Sequence, residues 1–168
     1  MQFRRTLIAI TVTVTATNTV RAQDNAREAI VATATYIKTN TDLRDIGAAE
    51  LVLDRRVADV TGKLIAARPR DETNAILQAL GARRMGLQEQ EVICPGATSK
   101  ECRLRPQVRG VVALSAPRVA GDKASVDVHM WWDSGSSEEP VATKQLIVDL
   151  ERVDGAWRVK GNRQLRIN

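Results

Sequence analysis

The stretch from Lys123 to Trp132 alternates strictly, and it constrains the fold more than any other part of the chain. Ala124, Val126, Val128, Met130 and Trp132 fall on one side, and Ser125, Asp127, His129 and Trp131 on the other. A period of two is the mark of a half-buried strand, whose successive side chains point to opposite faces. Three more strand-like runs flank it: Val108 to Val119, Val141 to Val153 and Ala156 to Ile167. In the last of these, Trp157, Val159, Leu165 and Ile167 share one parity. Ala120-Gly121-Asp122 and Asp154-Gly155 are tight-turn chemistry, because Gly and Asp tolerate positive φ. Short connections make neighbouring strands antiparallel, and an apolar sheet face has to be covered by something. The expected fold class is therefore α+β, with N-terminal helices packed on an antiparallel sheet.

The pattern Gly121-Asp122-Lys123-Ala124-Ser125-Val126, followed by Leu150-Glu151-Arg152-Val153-Asp154-Gly155-Ala156-Trp157-Arg158-Val159, resembles the closing meander of the nuclear transport factor 2-like (SnoaL-like) superfamily. The similarity is confined to that C-terminal meander. It implies a cone-like roll, with helices in the concavity of the sheet and often a pocket between them. It also implies a homodimer through the sheet. Some members are isomerases, hydrolases or dehydratases, and many are non-catalytic binding or interaction domains. The enzymes use an Asp–His or Asp–Tyr pair inside the cone; no residue here matches those positions one by one.

Residues 1–22 read as a secretory signal. Arg4 and Arg5 form a positive start, Thr6 to Val20 is uncharged, and Ala22 is a small residue of the kind found at cleavage sites. The expected mature domain is residues 23–168, one α+β unit that is exported to the periplasm or the cell exterior, with no stable membrane insertion once the leader is removed. The full chain carries 25 basic and 20 acidic residues, a net charge of +5. Arg4, Arg5 and Arg21 lie in the leader, so the mature domain would be near neutral and has little attraction for nucleic acid. Five aromatic residues in all give base stacking little to work with.

Helical spacing of Ala26, Ala29, Ile30, Thr33 and Ile37 predicts a helix over Asn25–Asn40, with Asn25 and Glu28 as a capping box. A second helix is expected over Asp71–Arg84, capped by Asp71, with Gly81 as a C-cap or a packing residue and Arg83 and Arg84 at its C-terminus. Between them, Leu51-Val52-Leu53 and Leu64-Ile65 fit either strand or helical turn, with a turn at Thr61-Gly62-Lys63. Cys94 and Cys102 flank a Pro-Gly loop; in an exported chain they read as a disulfide, worth roughly 2.5 kcal/mol by loop closure. They lack the Cys-x-x-Cys spacing of a redox pair.

The residue inventory narrows the chemistry. One histidine and two bridged cysteines cannot build an ordinary zinc site, so no metal is expected. Gly-rich phosphate loops, His-Glu-x-x-His and Gly-x-Ser-x-Gly are missing from the sequence, and no cofactor is expected. Asp127 and His129 share a strand face and form the one candidate acid–base pair. That role requires both to face a pocket beside the first helix; otherwise they belong to a polar outer face. Trp131 and Trp132 point to opposite faces, so one of them needs a helix, a dimer partner or a ligand over it. Arg103, Arg105 and Arg109 share one parity and could form an anion-holding stripe, unless Pro106 breaks it. The sequence thus favours a non-catalytic binding or interaction domain with a small apolar or anionic ligand. The alternatives are a small-molecule enzyme using Asp127 and His129, and a structural subunit of an envelope assembly docking through an exposed Trp.

Overall fold

The computed structural model describes residues 11–58, 64–96 and 101–167. A long helix, α1 (Thr11–Asn40), opens the chain. Strands β1 (Leu51–Ala58) and β2 (Leu64–Ala67) follow, then α2 (Arg70–Leu80), β3 (Arg84–Gly86) and the single turn α3 (Gln88–Glu91). The short strands β4 (Val92–Ile93) and β5 (Arg103–Leu104) pair with each other. The rest is β6 (Gly110–Ser115), β7 (Arg118–Ala120), β8 (Lys123–Asp133), β9 (Val141–Val153) and β10 (Ala156–Ile167).

The main sheet runs β10-β9-β8-β6-β1-β2, with β3 also on β1 and β7 on β8. The C-terminal meander is antiparallel, as expected. The sheet as a whole is mixed, which corrects the antiparallel expectation: β1 runs parallel to both β3 and β6. Parallel neighbours need long connections, and α2 and the disulfide segment supply them.

Helix α1 lies on the concave face. Ala29, Ile30, Ala34 and Ile37 are fully buried there against Val126, Val128 and Met130 of β8 and Leu146, Val148 and Leu150 of β9. Ile76 and Leu80 of α2 join the same cluster. Each large aliphatic side chain so buried contributes about 1.5–3 kcal/mol. The helix continues through Asn25, so the expected capping box does not form: in mid-helix the backbone N–H groups are already engaged. Asn25 instead accepts a hydrogen bond from Arg152 Nη1 at 2.8 Å.

The ambiguous segment before α2 is strand at Leu51–Ala58 and at Leu64–Ala67; the turn expected at Thr61-Gly62-Lys63 lies outside the described residues. Leu51 and Leu53 turn to the helices, and Val52 to the opposite face. Asp71 does not cap α2. The helix starts one residue earlier behind Pro69, whose carbonyl takes both the Thr73 N–H and its hydroxyl. Gly81 is the C-cap at φ 62°, a left-handed conformation that glycine adopts without strain. Arg84 lies beyond the helix, in β3, and pairs with Glu91.

The expected strand Val108–Val119 is two strands, β6 and β7, interrupted by Ala116-Pro117. In β10 the parity expectation fails midway. Register shifts between Val159 and Gly161 and between Gln164 and Arg166 each insert an unpaired residue. Trp157 stays buried, but Leu165 falls in the second bulge and is 53% exposed. A one-residue insertion reverses which face a side chain meets.

The Cys94–Cys102 disulfide is formed. It closes the β4–β5 ribbon over the far, convex face of the sheet, where Val52, Val92, Cys102, Val108, Val111 and Val141 make a second, smaller core. Among the described residues, no helix is long and apolar enough to cross a membrane.

Candidate binding site at the rim

The sheet and the end of α1 meet at a rim, and the clearest cleft of the described residues opens there. It encloses about 520 Å³ between the loop after α1 and the ends of β6, β8 and β9. Its far wall carries Arg109, Trp132, Asp133 and Lys144; the loop contributes Asp42, Arg44 and Asp45.

The loop is held from two sides. Lys38, near the end of α1, aims its ammonium at three carbonyls, Leu43 and Arg44 at 3.1 Å and Ile46 at 2.6 Å. Three acceptors satisfy all three N–H bonds of a lysine. From above, Leu43 and Ile46 press onto β6 at Gly110. A Cβ there would stand 2.7 Å from Ile46 Cδ1, 3.0 Å from Leu51 Cδ1 and 3.2 Å from Leu43 Cδ2, so only glycine admits this contact as built. The loop is therefore fixed before any ligand arrives, which lowers the ordering cost of binding.

Two ion pairs stand in the cleft wall: Arg109–Asp133 at 3.9 Å and Lys144–Asp42 at 3.6 Å. Both exceed hydrogen-bond distance. Elsewhere Arg163 grips Asp149 at 2.8 and 3.0 Å. Among the described residues, neither the Arg109 guanidinium nor the Lys144 ammonium makes a hydrogen bond to protein. These donors face the cleft with hydrogen-bonding capacity in reserve. Trp132 lines the same cleft, half-buried against the helix core.

The sequence candidates are thus redistributed. Trp132 and Arg109 come together in one cleft. Arg103 and Arg105 do not join them, which corrects the basic stripe. Arg103 is in β5, and the chain then turns through Arg105-Pro106-Gln107, with Gln107 at φ 70° and Val108 N–H bonded back to Arg105. That turn destroys the parity on which the stripe depended. Arg103 donates to the Cys102 carbonyl, and Arg105 is exposed.

Asp127 and His129 lie on the convex face, away from α1. Their strand neighbours Val126, Val128 and Met130 take the helix side. The requirement of a shared pocket beside the first helix is not met, and the acid–base expectation is corrected accordingly. Asp127 is held through both oxygens by Arg118, Nη2 to Oδ1 at 2.9 Å. His129 stacks against Trp131 with ring centroids 3.8 Å apart, and the Gln145 amide lies 3.4 Å from its Nδ1. Burial lowers its pKa from 6.5 to about 4, so it is neutral at physiological pH. Trp131 in turn packs on the disulfide cluster. The two tryptophans do face opposite ways.

Lys38, Asp42 and Lys144 were missed by the sequence reading. Lys144 lies in an alternating strand and Lys38 in an amphipathic helix, where single cations look like ordinary solvated positions. Only the fold brings them to one rim.

The architecture is that of an α+β roll, one helical layer filling the concave side of a curved mixed sheet. No protein-family model and no curated protein matches the sequence. Twelve solved chains match the structure. They include an NTF-2-like protein of unknown function from Silicibacter pomeroyi, 17% identical over 89% of this chain and 98% of that one, with a TM-score of 0.32. An uncharacterized protein with a cystatin-like fold from Caulobacter vibrioides is 17% identical over 87% of this chain and 91% of that one, with a TM-score of 0.31. A de novo designed protein with a curved β-sheet is 8% identical over 90% and 99%, with a TM-score of 0.27. The likeness concerns fold and says nothing of activity.

Proposed function

We propose that this protein is a non-catalytic binding domain that acts outside the cytoplasm and takes a small ligand in the rim cleft. One observation carries the reading: Arg109 and Lys144, with unused donors, flank Trp132 in a cleft whose opposite wall is already fixed by Lys38 and Gly110. Its volume lies within the range of small-molecule sites. The pair that would have served proton transfer is engaged elsewhere, on the opposite face.

Two observations support export. The Cys94–Cys102 bridge suits an oxidising compartment. Removal of residues 1–22 would also leave intact the α1 residues that pack on the sheet, Ala29 to Ile37 among those whose side chains are described.

The test is native mass spectrometry of the protein purified from the secreting cell. The expected spectrum shows a chain beginning at Gln23, with a small molecule retained by the wild type and lost from the Arg109→Gln/Lys144→Gln double variant. A wild-type protein that emerges empty, or a ligand retained equally by the variant, would refute the reading.

The convex face offers a second reading. Ile147 of β9 pairs with Asp127 and lies on this face, two residues along the strand from Gln145, where it is only partly covered. We propose this face as a homodimer contact. The same spectrum would then show two subunits, and a strict monomer would remove the idea.

A further inference from the structure

The rim cleft is electrically balanced. Its lining carries three carboxylates, Asp42, Asp45 and Asp133, and three cations, Arg44, Arg109 and Lys144. A balanced lining has no net attraction for an anion or a cation. It does present local dipoles, because its charges stand in adjoining pairs of opposite sign. Arg44 and Asp45 satisfy each other at 3.2 Å on the exposed loop. The two wall pairs do not: at 3.6 and 3.9 Å each cation is separated from its carboxylate by more than a hydrogen bond.

Building on the binding-domain reading, we infer that the rim cleft recognises a zwitterion with an apolar body, of the α-amino-acid class. Such a head group carries its ammonium and carboxylate on one carbon, so both charges reach a single cation–carboxylate pair at once. Its carboxylate takes the free donors of Arg109 or Lys144, and its ammonium takes Asp133 or Asp42. Its side chain rests against Trp132, the one large aromatic surface of the cleft. A plain anion would engage the cations but leave their carboxylates facing it, a repulsion that a zwitterion turns into attraction. The pairs are partly open to water, with Arg109 53% and Lys144 26% exposed, so binding replaces hydration at the head group and the affinity gain is moderate.

The experiment titrates the full chain with L-phenylalanine, phenylacetate and phenethylamine, following the indole and amide signals of Trp132 by two-dimensional NMR. These probes share a phenyl ring on a short aliphatic chain; the first carries both charges, the second the carboxylate alone and the third the ammonium alone. L-phenylalanine is expected to bind at least tenfold more tightly than either single-charge analogue. The Arg109→Gln/Lys144→Gln variant should bring it to the level of phenethylamine, and Asp42→Asn/Asp133→Asn to that of phenylacetate, each with an otherwise unchanged spectrum. If phenylacetate equals phenylalanine, the cleft is an anion site: the zwitterion inference fails and the binding-domain reading survives. If no probe moves the Trp132 signals, the zwitterion inference fails, and the native mass spectrum decides separately whether the binding-domain reading falls with it.

Discussion

Replacement of His129 by glutamine should remove most of an acid-sensitive component of stability. The ring is packed on the convex face against Trp131, and burial lowers its pKa from 6.5 to about 4. The unfolded chain therefore binds the proton first. Between those two values the unfolded state holds more protons than the folded one, and stability falls as the pH falls. Above pH 6.5 both states are neutral and the group contributes no slope. At about 1.4 kcal/mol per pH unit, the full window corresponds to about 3 kcal/mol. Part of the ring reaches water, so we expect roughly 2 kcal/mol in practice. Urea unfolding of wild type and His129→Gln, at about pH 7.5 and about pH 4.5, isolates the effect. The variant has its own packing cost, but that cost is the same at both pH values. The wild type should lose more stability than the variant on acidification, with the midpoint difference narrowing or reversing. Parallel losses in the two proteins would show that His129 titrates as an exposed histidine, and that the described stacking does not bury it.

The other two expectations concern the rim loop. Lys38→Met keeps the aliphatic stem but leaves the Leu43, Arg44 and Ile46 carbonyls without their shared donor; it should cost about 2–3 kcal/mol. Hydrogen exchange should rise at residues 41–46 first, and an unchanged exchange pattern would count against the anchoring role. Gly110→Ala inserts a methyl among Ile46, Leu51 and Leu43 and should destabilise by about 1–3 kcal/mol, measured by thermal unfolding. An unaltered melting curve would mean that the loop yields freely and is not preset.

Local pattern carried the sequence reading a long way at the C-terminal end and a short way elsewhere. The alternation of Lys123–Trp132 placed Val126, Val128 and Met130 inside correctly, because a strand's period is a property of its own backbone. The bounds of β9 and β10 followed from the same periodicity and the Asp154-Gly155 turn. The disulfide was legible because eight residues of separation leave the partners little freedom to avoid each other. Parity failed where the backbone departs from ideal pairing: at the β10 bulges and at the turn after Arg105. At the turn Pro106 announces the break; within β10 no residue type announces it strongly enough.

Which face of the sheet would be covered by α1 was beyond the sequence. A period of two divides Asp127 and His129 from Val128 and Met130, but it does not say what lies above either set. The identity of β1 and its parallel pairing with β6 were equally hidden, since an apolar triplet such as Leu51-Val52-Leu53 suits a buried strand or a helical turn. The rim cleft lies furthest from sequence. Lys38, Asp42, Arg109, Trp132 and Lys144 come from a helix, two connecting segments and two strands, and no spacing rule relates them. The sequence by itself determined the strands of the C-terminal meander, the disulfide and the division of side chains between the faces of β8, because those depend on neighbours in the chain. The tertiary structure alone decided which charges meet, because charge acts through space and the fold sets the distances.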